Sequence, residues 1–123
     1  MDKDEFMRRV LWLSVPFNLV GALLFAFPSS PVSRFAGFPA PVPALYSTLL
    51  AFFILLFGGT YAWLALQPTI DRPLVAFCAI GKAGFFALMV VFWWLGQVPG
   101  QAVLGAGGDL AFAGIFAWWL LTT

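Results

Sequence analysis

Two residues of opposite charge lie inside otherwise apolar runs. Lys82 sits in "AIGKAGFF" (79–86), and no other charge occurs between Pro73 and Gly96. Asp109 sits in "GGDLA" (107–111) and is the only acidic residue in its run. An ammonium at the centre of a membrane helix costs about 2.5–3.5 kcal/mol on insertion scales, so it needs a neutral form, water or a partner. Ionisable groups at such depth mark ion, proton or ligand sites, or they fix how helices assemble. Asn18, on a stripe with Ser14 and Ala22, adds an amide that can bond across helices. Thr60 and Tyr61 add hydroxyls, and Tyr61 also suits an interfacial anchor. The polar and ligand or ion candidates are therefore Lys82, Asp109, Asn18, Thr60 and Tyr61.

Other chemistry finds little material. The chain has no His and one Cys, Cys78, which reads as a small buried hydrophobe. That leaves no general base of the usual kind and no metal or haem ligand set. "GAGGD" (105–109) is glycine-rich but lacks the lysine that follows a phosphate-binding loop. The expectation is a protein that is not an enzyme and has no metal or cofactor of its own. A quinone or haem shared with another subunit stays open. The net charge of +1 argues against nucleic acid, which is held mainly by many Lys and Arg contacts to phosphate.

The elements that position these groups follow from composition. The chain is 63% hydrophobic and 9% charged, against roughly 45–50% and about 25% in soluble domains. Its 15 Phe and 6 Trp exceed what a small soluble core can hold. The solvent must be lipid. Four apolar runs, at 9–27, 43–66, 73–95 and 101–121, are long enough to cross a bilayer as helices. They are continuous rather than alternating, and helices satisfy their own backbone in lipid. The fold class is all-α: a single transmembrane domain over 1–123, an antiparallel up-down four-helix bundle.

The joints agree. "FPSSPVSRFAGFPAPVP" (27–43) carries Pro28, Pro31, Pro39, Pro41 and Pro43 and reads as a long interfacial connection. "QPTIDRP" (67–73) and "GQVPGQ" (96–101) are short turns, so spans 2 and 3, and spans 3 and 4, are expected to pack as neighbours. Lys82 then lies roughly 14 Å into span 3 and Asp109 roughly 12 Å into span 4, so their α-carbons differ in depth by about 5–9 Å. A lysine stem covers most of that gap, which predicts a Lys82–Asp109 pair, direct or through water. Small residues at 79, 83 and 87 and at 105, 113 and 117 are expected on the packing seam. Lys3, Arg8, Arg9 and Arg72 share one side with both termini, and Arg34 alone lies on the other. The positive-inside rule then places both termini in the cytoplasm. The acidic start "MDKDE" and the length of the first run favour a retained span over a cleaved signal peptide. The echo of "GGTYA" (58–62) in "GGDLA" occurs at different depths and reads as chance.

"FPAPVPALY" (38–46), "GKAGFF" (81–86) and "GDLAFAGIFAWWL" (108–120) together resemble the DoxX-like family of small bacterial four-helix membrane proteins. The resemblance implies a membrane-embedded bundle, in some members an accessory to a redox system, with no catalytic residues to carry over. The small multidrug-resistance transporters are similarly compact, but they carry a functional glutamate in the first span where this chain has Asn18. The leading expectation is a binding or accessory subunit of the bacterial inner membrane. It would use the polar Lys–Asp centre to engage a partner membrane subunit, a second copy or a small hydrophobic ligand. The alternative is a small, dimeric, proton-coupled transporter of hydrophobic or cationic compounds acting through Asp109. A third reading has the pair only fixing helix register.

Overall fold

The computed structural model describes residues 1–38 and 42–123. These form α1 (Lys3–Ala26), α2 (Pro31–Phe35), α3 (Ala44–Leu66), α4 (Arg72–Trp94) and α5 (Gly100–Thr122), with no strand among the described residues. The 4 long helices are each apolar and long enough to cross a membrane. They mark the chain as an all-helical membrane protein.

Local chemistry explains where the helices begin. Asp2 accepts from Glu5 N at 2.8 Å, and Asp4 and Glu5 lie in the first turn, where carboxylates favour the positive end of the helix dipole. For this reason α1 starts well before the apolar run; the helix runs on past Pro16 to Ala26. Asp71 caps α4 by accepting from Leu74 N at 3.0 Å, with Pro73 in the first turn. The segment 27–43, expected as one long interfacial connection, contains α2. Ser30 caps that short helix, Pro31 opens it, and the Ser33 hydroxyl donates to Leu24 O at 2.8 Å, tying it to α1. Pro39, Ala40 and Pro41 of the proline-rich connection lie outside the described residues. At Gly37 the backbone has φ +89, which glycine adopts without penalty. A β-carbon there would also come within 2.7 Å of Pro99 Cγ.

The helices pair as α1 with α3 and as α4 with α5, and α1 joins the two pairs along α5. The second pairing is the one expected for spans 3 and 4. Spans 2 and 3 (α3 and α4) differ from expectation. Their backbones stay apart, and they meet through stacked rings of Phe57 and Phe77, with centroids 5.8 Å apart. Side-chain size explains the choice. Gly58 lets α3 approach α1 so closely that a β-carbon there would lie 3.3 Å from Asn18 Cβ. Bulky rings hold α3 off α4 instead. The alanine seam on α4 is corrected in part: Ala79 packs against the core, but Ala83 and Ala87 are exposed, and the buried residues are Val75, Cys78 and Lys82. On α5 the buried small residues are Ala106 and Ala113, while Gly105 is exposed.

Most of the core lies at one end, built from Met7, Leu11, Tyr61, Leu64, Val75, Cys78, Phe116 and their neighbours. Against lipid, such packing contributes through close contact rather than through removal of apolar surface from water. The termini and the 67–71 connection meet at the same end, where basic side chains bind carbonyls that a helix C-terminus leaves free. Arg8 donates to Ala65 O at 2.9 Å, to Pro68 O at 2.9 Å and to Gln67 O. Lys3 donates to Thr122 O at 2.9 Å, and Arg72 donates to Leu120 O and to Thr123 Oγ1. The Trp119 indole donates to Asp4 at 2.9 Å. Cations at these positions also face the negative end of the α3 and α5 dipoles.

Candidate functional site

On α4, Val75, Cys78 and Lys82 follow helical spacing on one buried stripe. Lys82 is the last buried residue of that helix, at the boundary of the tightly packed half, and is only 4% exposed. Its ammonium donates to Asp109 Oδ1 at 2.9 Å and to Asn18 Oδ1 at 3.0 Å. The predicted Lys82–Asp109 pair is therefore a direct contact, and Asn18 belongs to it. The Asn18 amide nitrogen donates to Ile54 O on α3 at 3.0 Å, which turns the amide oxygen toward Lys82. Ser14, on the same face of α1, donates to Val10 O at 3.0 Å within its own helix.

Three aromatic rings surround the ammonium. Their centroids lie 4.8 Å away for Phe17, 5.1 Å for Tyr61 and 5.2 Å for Phe112. Ring faces attract a cation within about 6 Å. All four spanning helices thus contribute: Phe17 and Asn18 from α1, Tyr61 from α3, Lys82 from α4, Asp109 and Phe112 from α5.

Tyr61 and Thr60 part company. Tyr61 is 1% exposed and packs on Phe116, so it is a wall of the centre rather than an interfacial anchor. Thr60 does not join the centre. Adjacent positions on a helix point about 100° apart. The Thr60 hydroxyl donates to Leu56 O at 3.0 Å, and the side chain lines an outer groove with Phe52, Gly59 and Trp63. Cys78 is buried and free, as the sequence suggests. Phe17 and Phe112 were missed by sequence reasoning. Phe112 was within reach, because it lies three residues after Asp109 on a helix and so shares its face.

The magnitudes limit what the pair does for stability. At 2.9 Å the gross attraction is about 6 kcal/mol at an effective dielectric of about 20. Desolvation costs several kcal/mol per ion, so little net stabilisation is left. What the arrangement supplies is a fixed cation between a carboxylate, an amide oxygen and three ring faces. Asp109 is its accessible edge. Its side chain is 16% exposed, and among the described residues only Oδ1 receives a hydrogen bond.

The fit between α1 and α5 is tight beside Asp109. A β-carbon on Gly108 would lie 2.5 Å from Phe17 Cε2. Gly108→Ala is expected to push the Phe17 ring off Lys82 and cost about 1 kcal/mol, the low end for overpacking, because Phe17 is only partly buried. Denaturation of Gly108→Ala, Phe17→Leu and the double variant in micelles checks this. The double variant is expected to be more stable than the sum of the singles. Strict additivity would mean that the contact carries no strain.

Comparison with protein-family models, with curated proteins and with solved structures yields no match.

Proposed function

We propose that this chain is a binding or accessory subunit of the bacterial inner membrane. Its Lys82–Asp109–Asn18 centre would engage a partner's transmembrane helix or a small hydrophobic ligand. The observation that carries this reading is the asymmetry at Asp109. One carboxylate oxygen holds Lys82, while the side chain stays 16% exposed with no second hydrogen bond among the described residues. In an apolar surrounding, a donor from outside the chain is the natural complement. The reading takes the bundle as antiparallel and up-down with both termini cytoplasmic. It is supported by the gathering of Lys3, Arg8 and Arg72 at one end and by the positive-inside rule. The DoxX-like resemblance is part of the same proposal, as is the absence of catalysis.

Mild detergent extraction followed by native mass spectrometry tests it. The unaltered protein is expected to carry a bound lipid, quinone or membrane protein in fixed ratio. Asp109→Asn is expected to lose it while keeping its helix content. A strictly solitary protein, or equal retention by Asp109→Asn, would overturn the reading. The transporter alternative has one observation in its favour: the centre is built from all four spanning helices, so a change at Asp109 would be felt by each. That reading fails if Asp109→Asn and the parent give the same flux of lipophilic cations in vesicles.

A further inference from the structure

An ion pair that only sets helix register needs two charges. This centre has more: ring faces from α1, α3 and α5 converge on the Lys82 ammonium at 4.8, 5.1 and 5.2 Å. A carboxylate and an aromatic enclosure form the usual protein solution for holding an organic cation. Here the occupant is the protein's own side chain. Two acceptors grip its N–H groups, Asp109 Oδ1 at 2.9 Å and Asn18 Oδ1 at 3.0 Å. A quaternary ammonium has no N–H to give them, whereas a primary ammonium matches both.

We propose that the centre is a receptor for a primary alkylammonium, filled in the resting protein by Lys82 as a tethered occupant. The four-carbon stem of Lys82 stands in for the alkyl chain of the ligand. Asp109, accessible at the edge, is the point at which an amine reaches the cage when Lys82 withdraws. The chemical class is thereby fixed as lipophilic primary amines. The inference rests on reading the centre as a binding site. Its test uses the isolated chain and needs no partner, so it can fail while the partner reading stands, and the reverse.

Lys82→Ala removes the occupant and leaves the rings, Asp109 and Asn18 in place. The probes are n-propylammonium, which restores the missing atoms, 1-propanol, which is its uncharged counterpart, and tetramethylammonium, which is charged but cannot donate. Each is added to the purified variant in micelles, and thermal unfolding is followed by tryptophan fluorescence. The expected result is stabilisation by n-propylammonium at concentrations about tenfold or more below those needed for the other two, because the alcohol has one O–H for two acceptors and no charge for Asp109, and tetramethylammonium has no N–H for either. Adding Asp109→Asn is expected to erase that preference, and the unaltered protein is expected to respond to n-propylammonium only at far higher concentrations, because the tethered Lys82 competes for the cage. Where Lys82→Ala does not fold unaided, the yield of folded protein on extraction with each probe gives the same comparison. Equal effects of the three probes, an equal lack of folded protein with all of them, or a preference that survives Asp109→Asn would overturn the proposal. So would an equal response from the unaltered protein, since its cage is already occupied.

Discussion

Asp109→Leu is expected to remove about 3–5 kcal/mol of bundle stability, and adding Lys82→Met is expected to return most of it. The single change leaves an ammonium that is 4% exposed without its counter-ion, the situation in which breaking a buried pair costs most. The double change removes both desolvation penalties and fills the space with flexible apolar side chains, an exchange often neutral or favourable. Titration of purified protein from mild detergent into denaturing detergent, read by helix content, measures both. If Asp109→Leu is nearly neutral, the ammonium has another partner or is uncharged. If the double variant is as unstable as the single, the site depends on its polar groups for shape. A double variant that folds well but loses the bound partner would separate function from register.

Asn18→Leu is expected to cost about 1–3 kcal/mol in the same titration. One amide serves two helices: its oxygen accepts from Lys82 at 3.0 Å and its nitrogen donates to Ile54 O at 3.0 Å. Leucine removes an acceptor from a buried cation and brings a branched end against Gly58, where the α1–α3 approach is closest. Thr60→Val is the control, expected to stay within about 0.5 kcal/mol. Thr60 bonds only within its own helix, at Leu56 O. Equal losses from the two substitutions would mean that polar groups on α1 and α3 contribute generically rather than through this centre.

The contrast between those two residues shows how far the sequence could be read. Lys82, Asp109 and Asn18 were legible because a polar group in a long apolar run is costly and must find a partner at similar depth. The spans were legible for the same reason, since only helices of that length satisfy a backbone in lipid. Rotation about each helix was not legible. In a soluble helix the polar face reveals the buried one, but α3 and α4 are apolar all round, so Tyr61 and Thr60 could not be told apart. Nor did small residues reveal the seam on α4: Ala83 and Ala87 face outward while Lys82 faces in. Loop length suggested that α3 and α4 pack, yet Gly58 and the rings of Phe57 and Phe77 decided which helix approaches which.

The two misplacements share a cause: a short loop or a run of small residues allows two helices to pack but does not oblige them to. Small residues permit a close approach but do not require it, and several glycines, among them Gly59, Gly84 and Gly114, have open space where a β-carbon would go. A close approach forms where a specific bond rewards it. Asn18 supplies that reward to the α1–α3 pair through Ile54, and Lys82 supplies it to the α4–α5 pair through Asp109. Because Lys82 also binds Asn18, the same ammonium joins the two helix pairs.

The most direct test of the central claim is the Lys82 Nζ to Asp109 carboxylate distance in a lipid bilayer, measured by solid-state NMR on protein labelled at both side chains. Direct contact is predicted, with nitrogen and oxygen 2.9 Å apart and the ammonium signal shifted by Asn18→Leu. A separation beyond about 6 Å, outside the range of a strong charge interaction, would contradict the account.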